Sequence, residues 1–233
     1  MRQIILDTET TGLELNRGHR VIEIGCVELF ERRRTGREFH RYLNPERGID
    51  AGAQAKHGLT EEFLADKPLF AQIAAEFLAF VDGAELVIHN AAFDVGFLDA
   101  ELARLPGASD LGDRCTVLDT LQLARSRYPG QKNSLDALCK RLSVDNAHRQ
   151  LHGALVDAHL LTEVYLALTA GQGDLGFASA AEPAVVARTE VRVSAGRLRV
   201  QCADAGDLAR HRSRLQGIDR ASGGQCLWLL ETT

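Results

Sequence analysis

The chain has 233 residues, enough for one ordinary domain and a smaller piece, and its 45% hydrophobic and 25% charged residues are the mix of a soluble globular protein. A formal net charge of −5 excludes a protein that coats nucleic acid through a basic surface, but leaves open one that grips a few phosphates through metal ions. Five cysteines with no Cys-x-x-Cys pair exclude a zinc framework and point to a reducing compartment. Asp7 interrupts the early apolar run, so a signal peptide is not expected. No apolar stretch approaches the roughly 20 residues that cross a membrane. The expected location is the cytoplasm.

In chain order, "RQIILDTE" (2–9) reads as a buried strand, "RVIEIGCVELF" (20–30) as a second and "GREFHRYLNP" (36–45) as a third, with a turn over Glu31 to Arg34. "KPLFAQIAAEFLAFVDG" (67–83) has helical apolar spacing and stops at Gly83. "AELVIHN" (84–90) predicts a short buried strand, and "NAAFDVGFLDAELARL" (90–105) a helix capped by Asn90, with Phe93 and Phe97 facing the core. "RCTVLDTLQLARSRY" (114–128) passes from strand to helix. "NSLDALCKRL" (133–142) and "HGALVDAHLLTEVYLALTAG" (152–171) are two more helices. Strands first, then alternating helix and strand, predict an α/β fold: a mixed sheet flanked by helices. After Gly171 the composition turns to Gly, Ala and Ser, which predicts a linker. Then come a strand (196–202), a helix (205–217) and a strand (224–231) in a tail too small for a large core. Charge is uneven too: −7 over residues 1–177 and +2 over the rest.

Three groups of residues carry possible chemistry. Asp7 and Glu9 lie two apart on the first strand and so project from one face. Two close carboxylates repel unless a cation sits between them, and a hard divalent ion prefers such oxygen ligands. The ordinary alternative is a solvated strand end, which the preceding "IIL" argues against. Asp94 falls in the first turn of its helix, where it could simply complement the helix dipole. Asp157 lies on an apolar helix five residues after His152, about 140° away if both were helical. If the two serve one site, His152 must lie in the loop before the helix, eased by Gly153.

Together, "LDTETTG", "VIEIGCVEL", "AELVIHNAAFDVGFLDAE", "NSLDALC" and "LHGALVDAHLLTEVYLAL" make the chain resemble the DEDDh 3′→5′ exonucleases of the ribonuclease H-like superfamily. The closest likeness is to the branch that proofreads for bacterial DNA polymerase III. It is dense over residues 2–170 and reaches the tail through "GGQCLW" (223–228). The resemblance implies a ribonuclease H-like fold and two divalent cations, Mg²⁺ or Mn²⁺, held by Asp7, Glu9, Asp94 and Asp157. It implies His152 as general base. His57 falls near the DNA 3′ end, and Asp7, Glu9 and Asp157 also meet the substrate. "DAGAQA" (50–55) carries small residues, including Gly52, where relatives often carry a glutamate.

The resemblance further implies an exonuclease domain at 1–170, a linker at 171–190 and a polymerase-binding tail at 191–233. "QGDLGF" (172–177) fits a sliding-clamp-binding pattern, with Gln172 hydrogen bonding and Leu175 and Phe177 filling an apolar pocket. Trp228 and Leu229 are candidate anchors on the polymerase, although Trp228 could equally pack in the tail. The implied partners are a DNA 3′ end, the catalytic (alpha) subunit, the sliding clamp (beta) and a small theta-like subunit, in the bacterial replisome. Three rival readings use the same residues differently: a related enzyme that trims RNA, a dead scaffold joining clamp to polymerase, and a small-molecule phosphohydrolase. The last lacks any Gly-rich phosphate cradle.

Overall fold

The structure, a computed structural model, describes residues 1–107, 109–147, 149, 151–170 and 203–230. The chain divides into two units, Met1–Ala178 and Ser179–Thr233.

The first unit is built on a five-stranded mixed sheet. Strands β1 (Arg2–Thr10), β2 (Val21–Phe30) and β3 (Arg33–Tyr42) are antiparallel. Strands β4 (Glu85–Ile88) and β5 (Thr116–Asp119) run parallel to β1 on its other side, in the order β3-β2-β1-β4-β5. The β2–β3 turn is shorter than its charged sequence suggests. Only Glu31 and Arg32 form it, both at positive φ (49° and 62°), while Arg33 and Arg34 already belong to β3. A two-residue turn of this hand matches the twist of the strands it joins.

Alternation along β1 distributes the core. Ile4 and Leu6 pack with Phe70 and Phe77 of α3 (Phe70–Val81) and Phe97 and Leu98 of α4 (Ala91–Leu102). Ile5 faces the other way, against Ala158, Leu161 and Tyr165 of α7 (Ala154–Thr169). The outer side of α7 gives Val164 and Leu168 to a third cluster with α5 (Thr120–Arg127) and α6 (Leu135–Leu142). Asp119 and Ser134 cap those two helices through their side chains. The short helices α1 (Ala51–His57) and α2 (Glu61–Leu64) fall where the sequence has no sustained period.

Asn90 does not act as the expected cap. It adopts φ 68°, ψ 53° and makes no side-chain cap bond, because the chain turns from β4 into α4 within two residues and Asn tolerates the left-handed region. Phe97 faces the core as expected, but Phe93 is only partly buried and also lines a cleft.

In the second unit, α8 (Ala205–Ala221) has its N-terminus closed by Asp204 and Asp207 in a capping box. The strand expected over 224–231 is instead a helical turn, α9 (Leu227–Leu230). A strand needs a neighbour for its backbone N–H and C=O groups, whereas a helical turn pairs its own. The strand expected over 196–202 lies outside the described residues. No described helix is long and apolar enough to cross a membrane.

Candidate active site

The sheet opens at the end of β1. Strand β4 pairs with β1 only as far as Leu6, so Asp7, Thr8 and Glu9 run on past its last residue. Such an end, beyond the carboxyl ends of parallel strands, is where α/β sheets place their ligands. A cleft of about 510 Å³ lies here, lined by Asp7, Glu9, Asp94, His152, Asp157 and His57 among others. Every acid and both histidines singled out in the sequence therefore meet in one place.

Each arrives by a different route. Asp7 and Glu9 share the face of Ile5, toward α7. Opposite Asp7 on β2 stands Gly25. A Cβ there would lie 2.2 Å from the backbone nitrogen of Leu155 and 2.3 Å from the carbonyl carbon of Ala154. The missing side chain lets the first turn of α7 press onto the sheet, which carries Asp157 up to Asp7 and Glu9. Thr8 points the opposite way. Its N–H and hydroxyl both donate to Asp94 Oδ1, at 3.0 and 2.6 Å, and fasten α4 beside β1. Asp94 is thus oriented by Thr8 as well as by its place in the first helical turn.

His152 lies in the loop before α7, as the 140° argument requires, and its N–H donates to the Lys56 carbonyl at 3.0 Å. His57 ends α1 and is buried. Its Nδ1 accepts from the Leu59 N–H, which leaves the proton on Nε2, an atom with no partner among the described residues. Burial lowers the pKa of His57, which favours the neutral ring.

All four carboxyls are held above their ordinary range. Burial first, then Asp94, Asp157 and Glu9, hold the Asp7 carboxyl well above the ordinary range. Burial, Asp157 and Glu23 push Glu9 up to about 8. Burial takes Asp94 up to about 7 against the pull of its Thr8 bonds. Burial also raises Asp157, with Arg149 opposing. Asp157 Oδ1 is buried without a partner among the described residues, and ligand atoms of Glu9, His152 and Asp157 lie within 4.8 Å of one another. An orphaned carboxylate oxygen among mutually repelling acids fits a divalent ion.

Four contributors do not stand out in the sequence. Gly25 carried a signal, a glycine inside an apolar strand, which marks close backbone approach. Glu23, 2% exposed and bonded to His40 at 2.8 Å, showed as an acid in an apolar run. Thr8 and Arg149 carried none, since a threonine between acids and an arginine in a polar loop are ordinary.

Residues 4–165 match the exonuclease family RNase_T. The chain is 50% identical over 238 residues to the DNA polymerase III subunit epsilon of Salmonella typhimurium LT2, covering 97% of each chain. It is 49% identical to that of Escherichia coli K12, again over 97% of both. The chain belongs to the exonuclease family, among the DNA polymerase III epsilon subunits. Its fold also matches exonuclease X, solved with 5′-overhanging duplex DNA, at TM-score 0.57 and 27% identity over 73% of this chain and 93% of that one. Exonuclease I of E. coli, solved with single-stranded DNA, matches in fold at TM-score 0.63, over 73% of this chain and 41% of that one. The chain is an exonuclease of a replicative polymerase, and the family acts with divalent metal.

Proposed function

We propose that this chain removes mispaired nucleotides from DNA 3′ ends by 3′→5′ phosphodiester hydrolysis at the cleft of Asp7, Glu9, Asp94, Asp157 and His152. The carrying observation is the convergence of four carboxylates from β1, α4 and α7, one with an unpartnered oxygen, beside a loop histidine. These acids would hold two divalent cations, Mg²⁺ or Mn²⁺, with Asp7 placed between the others. When bound, the cations supply positive charge to the attacking and leaving oxygens. His152 takes the proton of the attacking water at a ring nitrogen. The P–O3′ bond breaks, leaving a 5′-nucleotide and a shortened strand with a 3′-hydroxyl. His57 presents Nε2–H to an oxygen of the terminal nucleotide. Gly52 and Ala53 line the same cleft with no acid of their own. A mispaired end frays at lower cost, so it reaches the cleft single-stranded without base reading.

Residues 1–170 serve as the nuclease domain, 171–190 as a linker and 191–233 as the polymerase-binding tail. Exposure of Trp228 (77%) and Leu229 (40%) favours their use as anchors on the catalytic (alpha) subunit over burial in the tail. Gln172, Leu175 and Phe177, assigned to the sliding clamp (beta), lie outside the described residues. A theta-like subunit and a cytoplasmic replisome complete the reading.

The deciding experiment is 3′-end excision by the purified chain with Mg²⁺ on a mispaired primer, a paired primer and an RNA strand, each with an Asp7→Ala control. Asp7-dependent removal of the mispaired DNA end, with RNA spared, supports proofreading. Preference for RNA makes it a trimming enzyme, and no activity on any strand makes it a scaffold.

A further inference from the structure

The least expected group in the cleft is the guanidinium of Arg149, on the loop between α6 and α7, its side chain 7% exposed. Its Nη2 donates at 2.6 Å to His152 Nδ1 and at 2.6 Å to Asp157 Oδ2, while Nη1 pairs with Asp136 of α6. Its Nε is buried without a partner among the described residues. The contrast with Arg20 is informative. Arg20 grips both oxygens of Glu101, through Nε at 2.6 Å and Nη2 at 2.8 Å, the paired fork of a structural ion pair. Arg149 reaches the Asp157 carboxylate through one nitrogen and leaves a donor and an acceptor, its own Nε and Asp157 Oδ1, unused.

The two partners of Nη2 are two of the three residues whose ligand atoms cluster within 4.8 Å, and of the two a cation would need Asp157. An arginine N–H can donate only to an unprotonated ring nitrogen. With its proton on Nε2, His152 accepts from Arg149 at Nδ1, an atom that also lies 3.3 Å from Asp157 Oδ2, and the lone pair that a base would use is then taken.

Building on the site reading above, we propose that Arg149 is a built-in stand-in for the divalent cation. Its guanidinium neutralises Asp157 and holds His152 Nδ1 in the metal-free protein. It gives up both as the ion binds, pivoting on Asp136. Metal binding and release of the base are then one event, so His152 is available only in a loaded site.

The test is calorimetric titration of the full-length chain with Mn²⁺, comparing wild type with Arg149→Gln, Lys56→Gln and Asp157→Asn. Removing the competitor frees a charge-assisted bond, so R149Q is expected to bind Mn²⁺ about tenfold tighter than wild type. Lys56 is exposed, lines the same cleft and removes an equal charge without touching Asp157, so K56Q is expected to change affinity by less than about threefold. Unchanged or weaker binding by R149Q overturns the proposal. So does equal tightening by K56Q, which would reduce the effect to bulk charge. D157N separates the two readings: wild-type Mn²⁺ affinity there defeats the metal site itself, whatever R149Q does. A measurement on the unaltered chain guards against a misfolded variant. The Arg149 side-chain N–H signals in NMR are expected to exchange slowly without metal and to be lost to exchange on Mg²⁺ saturation. Persistence of those signals overturns the stand-in role.

Discussion

At the scale of single residues, two kinds of group share the cleft, and they should fail differently. A positioned base contributes about 10²–10⁴-fold, so His152→Ala is expected to slow excision by that factor while leaving Mn²⁺ affinity within a few-fold. Asp7→Ala removes the central carboxylate and should cost more in rate and in Mn²⁺ affinity together. Full-rate excision by His152→Ala would end the base assignment. The raised acids also predict a pH dependence. Glu9 and Asp94 titrate higher in the folded protein than their ordinary values of 4.5 and 3.8. Protons held there stabilise the metal-free fold fully below those values, and this is lost as pH rises to about 7 for Asp94 and about 8 for Glu9. A divalent ion replaces the lost protons. Saturating Mg²⁺ should therefore raise the melting temperature more at about pH 8.5 than at about pH 5. Equal shifts at the two pH values would contradict the raised pKa of Glu9.

At the scale of elements, the site depends on how closely α7 and α4 approach β1. Gly25→Ala places a Cβ 2.2 Å from Leu155 N, a contact with backbone that no rotamer relieves. Overpacking of this kind costs about 1–3 kcal/mol, and here it lifts the segment that carries Asp157. The variant should melt earlier and lose excision more than its stability loss explains, as measured by calorimetry and by rates taken well below its melting point. Normal activity would show that α7 has room to move. Thr8→Val keeps the shape but removes the hydroxyl that bonds Asp94 at 2.6 Å. A loss of about 1 kcal/mol in denaturant unfolding, with slower excision, is expected. The core beneath is less forgiving. Phe77, fully buried between the rings of Phe39 and Phe70, should cost about 3–5 kcal/mol as Phe77→Ala.

At the scale of the whole molecule, the nuclease unit carries its own clefts and cores, while α8 of the second unit has no buried residue. The polymerase-binding role proposed for the tail would give this helix a surface to cover. A chain ending at Ala170 should keep excision and lose co-purification with the polymerase catalytic subunit. Trp228→Ala in the full chain should weaken that association by about 30-fold or more, the scale of an interface hot spot, read by surface plasmon resonance. Retained association by the truncated chain would remove the tail from the docking role.

Much of the architecture was legible because period and punctuation are local properties. The alternation around "IILDTE", the helical spacing of 67–83 and the glycines and prolines between elements each act within a few residues. They led to the mixed sheet with its flanking helices. The acids and His152 were singled out by resemblance, and the 140° separation placed His152 off its helix on the condition that it shares a site with Asp157. What local pattern could not carry was decided by packing. Gly25 matters through the backbone of Ala154 and Leu155, more than a hundred residues away. Asp94 is aimed by Thr8 across the sheet end, Asn90 bends into the left-handed region because β4 meets α4 there, and residues 227–230 form a helical turn. Arg149 is the clearest case. Its sequence context is an ordinary polar loop, and only the fold brings its guanidinium between Asp157 and His152. Residue types and their spacing determined which groups are present. The approach of distant backbones determined which of them touch, and so which can share a cation or a proton.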